Sequence, residues 1–295
     1  MNPRELQERI RTLPRPGVGC VRDLKLARRV VRFEGLGRKL AVALERRWGG
    51  FFGTAQAAAP DLVLRVFERG LDRPVLKAVH GEIYRVERVD TGGVPLVASY
   101  HFATTPADDE PDGWNVVLMP SAGEPTERMV DNVARYFAAR IAVACGGFAL
   151  HAAGVRRNGR AYLFAGPSRA GKSTAVALSG AESLGDDFGI VVREGDEWLA
   201  APLPFDNSER IDTVAAPPVV PLAGIWRLFQ GAAAGVDRPP VGLGTASLMA
   251  CAAFPWAIPE LADPLLHNVQ SYVSDGGFAH LTFAKGTDLW RHLPR

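Results

Sequence analysis

The sequence predicts an α/β (α+β) protein whose centre is a P-loop nucleotide-binding core, preceded by a small β-rich module, and three observations lead there. "GPSRAGKST", Gly166 to Thr174, meets the Walker A pattern G-x-x-x-x-G-K-[ST]. The apolar run "AYLF" enters this loop and "KSTAVALSG" leaves it with helical character, so the motif stands between a strand and a helix, the context in which it works. Over residues 51–122, short runs rich in β-branched and aromatic residues alternate with Gly, Pro and Asp turns. The loop pattern arises by chance in roughly one chain in a hundred of this length.

Composition bounds the rest. The chain has 295 residues, 47% hydrophobic and 22% charged, which is the make-up of an ordinary globular protein rather than a disordered one. Cys20, Cys145 and Cys251 stand far apart without a CxxC pair, and are expected to be buried thiols in a reducing, cytoplasmic setting. The opening "MNPRELQERIRTLPRP" carries charges where a signal peptide needs an apolar stretch, and the longest uncharged run, Pro239 to Pro259, is broken by Gly242, Gly244 and Pro255. Secretion and a membrane span are therefore not expected. A formal net charge of +2 argues against nucleic acid as the main partner, because a phosphate backbone needs a broad basic face. The charge is uneven: residues 1–50 hold 13 Lys/Arg against 5 Asp/Glu, a solvated helix face or a docking face for an acidic peptide.

Taken in order, "LGRKLAVALERRWGG" predicts a helix with Leu36, Leu40, Val42 and Leu44 on one side and Gly49-Gly50 at its end. "DLVLRVFERG", "GEIYRVERVD", "VPLVASYHF" and "WNVVLMP" predict the strands of the accessory module. In "PTERMVDNVARYFAARIAVACGG", Val130, Val133, Phe137 and Ile141 recur at helical spacing up to Gly146-Gly147. "FALHAAGVRRNGRAYLFAG" holds two apolar runs about Asn158-Gly159, the strongest short-range hairpin signal. After the loop helix, "LGDDFGIVVREGDEWLAAPLP" predicts strand, turn at Glu194-Gly195, and strand. The expected division is an N-terminal basic helical segment with a β-rich accessory module at 1–122 and a P-loop catalytic domain at 123–295.

The chemistry follows from the residue types. Gly166, Pro167, Ser168, Arg169, Ala170 and Gly171 form a turn whose backbone N–H groups, with those of the helix start, suit dense negative charge. Lys172 adds a mobile cation for β- and γ-phosphates, and Ser173, followed by Thr174, offers a hydroxyl to Mg2+. Asp186 and Asp187 precede the apolar run "FGIVV" and are expected at a strand start, one on each side of the pleat. One of them would hold metal and the other take a proton from an attacking hydroxyl. His151, expected in the first hairpin strand, reads equally as a core histidine or as a group of the site. Arg169 reads as a phosphate contact or a solvent-facing side chain, and His80, His101, His267, His280 and His292 lack metal-ligand spacing.

Together, "LHAAGVRRNGRAYLFAGPSRAGKST…SLGDD" resembles the catalytic core of HPr kinase/phosphorylase and its kinase-like relatives, a likeness that covers about 145–205. "PLPFDNSER" and "PLAGIWRLFQG" resemble later segments of those relatives. The resemblance implies a fold shared with ATP-dependent phosphoenolpyruvate carboxykinases, with ATP and Mg2+ as cofactors. It gives Lys172, Ser173, Asp186, Asp187 and His151 the phosphoryl-transfer roles, Asp187 as base and, with Ser173, at the metal. The 14 positions from Lys172 to Asp186 are about one helical turn fewer than is usual there, and no "EIRG"-like stretch follows. HPr is accordingly not the expected acceptor; relatives of this trimmed kind often accompany biosynthetic clusters for modified peptides, and some phosphorylate a serine on a precursor peptide. The resulting expectation is a kinase acting on a hydroxyl of a peptide, protein or small molecule, without nucleic acid or membrane, and open to homo-oligomerisation. The alternatives are a nucleotide-binding regulatory module and a simple ATPase or GTPase.

Overall fold

The structure, a computed structural model, describes the chain apart from residues 1, 18, 57–58, 69–84, 120–123, 206–217, 256, 285, 287 and 295. Its described residues form a mixed α/β molecule with two sheets and six α-helices, none of them long and apolar enough to cross a membrane. Two compact units divide after Phe137, inside the third helix.

The first unit begins with α1 (Pro3–Arg11), whose N-terminus is closed by a capping box between Asn2 and Glu5. It continues through β1 (Cys20–Leu26), β2 (Arg29–Leu36), α2 (Arg38–Trp48), β3 (Phe52–Thr54) and β4 (Leu62–Phe67). Strands β5 (Glu87–Val89), β6 (Leu96–Ala98), β7 (Phe102–Pro106) and β8 (Gly113–Leu118) complete an eight-stranded sheet ordered β3-β1-β2-β4-β8-β7-β6-β5, and α3 (Thr126–Ala144) follows. Leu6 and Ile10 bury the apolar stripe of α1 against Leu96, Ala98, Ala103 and Val117. Side chains of this size stabilise by roughly 1.5–3 kcal/mol each when fully buried. Asn115 of β8 donates from Nδ2 to the Ile10 and Arg11 carbonyls at 2.9 and 3.1 Å, occupying acceptors that a helix end leaves over.

Two expectations change here. Residues 1–50 are not a helical preface to the β-module, because β1 and β2 lie inside its sheet. Several of their thirteen cations are also paired within the unit, among them Arg22–Glu45, Arg29–Asp61, Arg32–Asp23 and Arg47–Asp131. Helix α2 buries Leu40, Ala41, Leu44 and Trp48, whereas Val42 is exposed and Leu36 ends β2. Of the strand expected over "GEIYRVERVD", residues 81–84 lie outside the described residues, as do His80 and all of "DNSER".

The second unit carries β9 (Phe148–Leu150), β10 (Ala152–Arg157), β11 (Arg160–Ala165), α4 (Lys172–Ser179), β12 (Glu182–Gly185), β13 (Gly189–Glu194) and β14 (Glu197–Ala201). It closes with β15 (Val220–Gln230), β16 (Gly235–Asp237), α5 (Val241–Met249), α6 (Ala262–Ser274) and β17 (Phe278–Phe283). The sheet order is β12-β10-β11-β15-β14-β13-β9, with β17 beside β15 and β16 beside β17. The hairpin turn at Asn158-Gly159 forms as expected, both residues at positive φ, 52° and 74°. β11, β15 and β17 run parallel, so their carboxyl ends share one edge of the sheet, the edge at which ligands of open α/β sheets bind. α4 packs on one face through Ala175 against Phe164, Trp226, Leu228, Leu281 and Phe283.

Candidate functional site

β11 ends at Ala165, the chain turns over Gly166–Gly171, and α4 starts at Lys172. Gly171 has φ +100°, and a Cβ there would lie 2.8 Å from Cζ of Phe283, so the turn needs a glycine for both backbone and space. The N–H groups of the first helical turn have no partner within the helix and point out of its end. Gln230, the last residue of β15, donates from Nε2 to the Arg169 carbonyl at 3.1 Å, which ties the loop to the neighbouring strand. Arg169 itself is exposed with φ 67°; its backbone holds the loop.

The Lys172 ammonium is buried, 7% exposed, and its Nζ donates to the Gly166 and Pro167 carbonyls at 3.1 and 3.2 Å while pairing with Asp187 Oδ1 at 3.1 Å. A buried ammonium without such partners would be costly, so these three contacts are what keep the amine in place. Ser173, one residue on, is exposed and donates from Oγ to Asp186 Oδ1 at 3.2 Å. Successive carboxylates thus face successive side chains at the start of the helix.

The route by which the pair gets there differs from the expected one. Asp186 and Asp187 do not begin a strand: they occupy the connection between β12 and β13, and Asp187 has φ 74°. Their divergence comes from this left-handed residue, a conformation that Asp tolerates better than most, and not from pleat alternation. Ser173 meets Asp186, where the expected metal pair was Ser173 with Asp187. His151 is not in a hairpin strand or the core; it lies at the break between β9 and β10 with an exposed side chain. Its backbone is tied to the site, since its carbonyl accepts from Gly166 N at 3.1 Å and its N–H donates to the Cys251 carbonyl at 2.8 Å. Cys251 is a buried thiol as expected, whereas Cys20 and Cys145 are half-buried.

Among the described residues no group of three or more His, Cys, Asp or Glu stands ready to hold a metal ion. Ser173 and Asp186 present hydroxyl and carboxylate oxygens side by side, a sparse oxygen set that fits Mg2+, which keeps several waters and relies on phosphate oxygens. The glycine-limited turn, the ammonium and the helix start fit a phosphate chain in the same way.

Arg227 and Ser247 also reach this region and were not singled out in the sequence. The available signal was a lone arginine inside the apolar strand "GIWRLFQG". Compared with known protein families and with characterised proteins, the chain matches none.

Proposed function

We propose that the second unit is an ATP- and Mg2+-dependent phosphotransferase that passes a γ-phosphoryl group to a hydroxyl on a peptide, protein or small molecule. The observation that supports this best is the doubled pairing at the start of α4, Lys172 with Asp187 and Ser173 with Asp186. It supplies, in one place, a cation for phosphate, a hydroxyl and carboxylate for metal, and a separate carboxylate for a proton. Mg·ATP, when bound, brings the transferable phosphoryl group and the charge neutralisation its departure needs.

The chain's own residues divide the remaining work. Lys172, now on the Gly166 and Pro167 carbonyls, would hold phosphate oxygens of a bound nucleotide, a more negative set of acceptors. Asp187, 52% exposed, would then be released from its cation and is the carboxylate open to an incoming hydroxyl proton. Asp186 stays with Ser173 on the metal side. His151 presents its imidazole to solvent at the root of the loop, where an acceptor approaches.

The test follows the γ-phosphorus. Incubation of the full chain with γ-labelled Mg·ATP and a set of Ser/Thr peptides is expected to place label in an acid-stable phosphoester. Label appearing only as inorganic phosphate would replace the kinase with an NTPase, and label remaining in ATP would leave a nucleotide-binding module.

A further inference from the structure

The face of the second sheet opposite α4 carries a polar row that the mechanism above leaves unused. Side chains of residues paired across neighbouring strands point to the same face. The register Ala152↔Ala165, Ala165↔Arg227, Arg227↔His280 and His280↔Asp237 therefore lines up five side chains, the second of them the residue that enters the loop. The first two are alanines, so the first long side chain of the row is Arg227, whose Cζ lies 5.3 Å from the ring centroid of Phe229 on the same strand.

Arg227 is braced on one edge only. Nη1 donates to the Ser247 carbonyl at 3.0 Å and to its Oγ at 2.9 Å, and that hydroxyl lies 2.8 Å from Nε2 of His280. Burial pushes the His280 imidazole towards its neutral form, with Arg227 adding to the effect and Asp237 opposing it. A neutral imidazole can accept from Ser247, which leaves the hydroxyl oxygen to accept from Arg227 and fixes the direction of the relay. Nε of Arg227 is buried and finds no hydrogen-bond partner among the described residues. A buried donor left unpaired costs about 1–3 kcal/mol, so the arrangement is complete only with an acceptor from outside.

The same arginine is coupled to the loop. Cys251 Sγ lies 3.7 Å from the Ser247 carbonyl, the Cys251 carbonyl takes the His151 N–H, and the His151 carbonyl takes the Gly166 N–H. The Cys251 thiol feels the positive charges of both Arg227 and Lys172, although burial outweighs them and pushes it up. Both cations thus act on one thiol.

We propose that Arg227, held by Ser247 and His280, is a second anion receptor of this site and takes a phosphoryl-class oxyanion. A planar guanidinium with a free edge matches such a group bidentately, and Lys172 already gathers phosphates alongside. The oxyanion is the terminal phosphoryl of the nucleotide or a phosphate on the acceptor side. The proposal rests on the reading of Gly166–Thr174 as a nucleotide site.

Calorimetry on the full chain separates the cases, with Mg·ADP, the Mg2+ complex of a non-hydrolysable ATP analogue, and inorganic phosphate added to the Mg·ADP complex as probes. Arg227→Gln is expected to keep Mg·ADP affinity within about twofold and to lose about tenfold or more for one other probe, the size of one charge-assisted contact. Loss confined to the ATP analogue assigns Arg227 to the terminal phosphoryl, and loss confined to phosphate assigns it to the acceptor side. Ser247→Ala is expected to weaken the same probe by less, and Arg227→Lys, which keeps the charge without the fork, covers the case in which Gln prevents folding. Unchanged affinity for both probes in Arg227→Gln and Arg227→Lys, or equal loss of Mg·ADP, overturns the proposal. Failure of the parent to bind Mg·ADP overturns the reading of the loop, and this proposal with it.

Discussion

At the residue scale, the division of labour proposed for Asp186 and Asp187 has separable consequences. Asp187→Asn keeps the shape of the side chain and removes the proton acceptor, so phosphoryl transfer should fall by about 10²–10⁴, the usual size of a general-base contribution. Mg·ATP affinity should stay within a few-fold, measured by titration against turnover on the same preparation. Asp186→Asn removes the carboxylate beside Ser173 and should raise the Mg2+ concentration needed for half-maximal nucleotide binding. A reversed pattern would exchange the two roles. The residue types were legible because Gly-Asp-Asp stands a short helix after the loop, but their placement was not. Nothing in "LGDDFG" marks Asp187 as left-handed, and only the folded geometry shows which carboxylate meets Lys172.

At the element scale, what could be read locally was read and what depends on distant pairing was not. The Asn158-Gly159 hairpin, the turn into α4 and the stop of α3 before Gly146 are written in short stretches whose turn residues have one good use. The β1–β2 hairpin turns through Ala27-Arg28, both at positive φ, 47° and 65°, without any of the usual turn residues, so the segment passed for helical. Arg227 meets His280 across a parallel pair that no local pattern announces. Two predictions belong here. Gly171→Ala places a methyl group against Phe283 and forces alanine to φ +100°, which costs at least about 1–2 kcal/mol in backbone terms alone. It should lower the melting temperature and weaken nucleotide binding together. Removal of residues 1–50 takes β1 and β2 from the middle of the first sheet, stranding β3 and exposing the edge of β4. Size-exclusion chromatography should then show aggregated protein, where a dispensable basic arm would leave the elution of the remainder unchanged.

At the scale of the whole molecule, two histidines set an acid limit. Burial pushes His101 in the first unit and His280 in the second below the ordinary histidine value of 6.5, with Glu124 and Asp237 only partly offsetting it. In both cases the unfolded chain binds the proton more readily than the folded one, so stability is fully present above pH 6.5 and declines as pH falls through and below it. Urea unfolding should give a lower midpoint at pH 5.5 than at pH 7.5, and His280→Asn should flatten part of that slope without removing the part due to His101. An equal midpoint at the two values would show that neither imidazole is kept neutral by the fold.

The central claim is that Gly166–Thr174 holds the phosphates of a nucleotide, and titration of Mg·ATP into the parent chain and Lys172→Ala tests it most directly. The buried ammonium and the donors of the helix start would act on the same phosphates, so the parent should release binding heat and Lys172→Ala should lose most of its affinity while still unfolding cooperatively. Equal affinity in parent and variant, or no heat with either, would contradict the account and leave the loop as a glycine-rich turn between a strand and a helix.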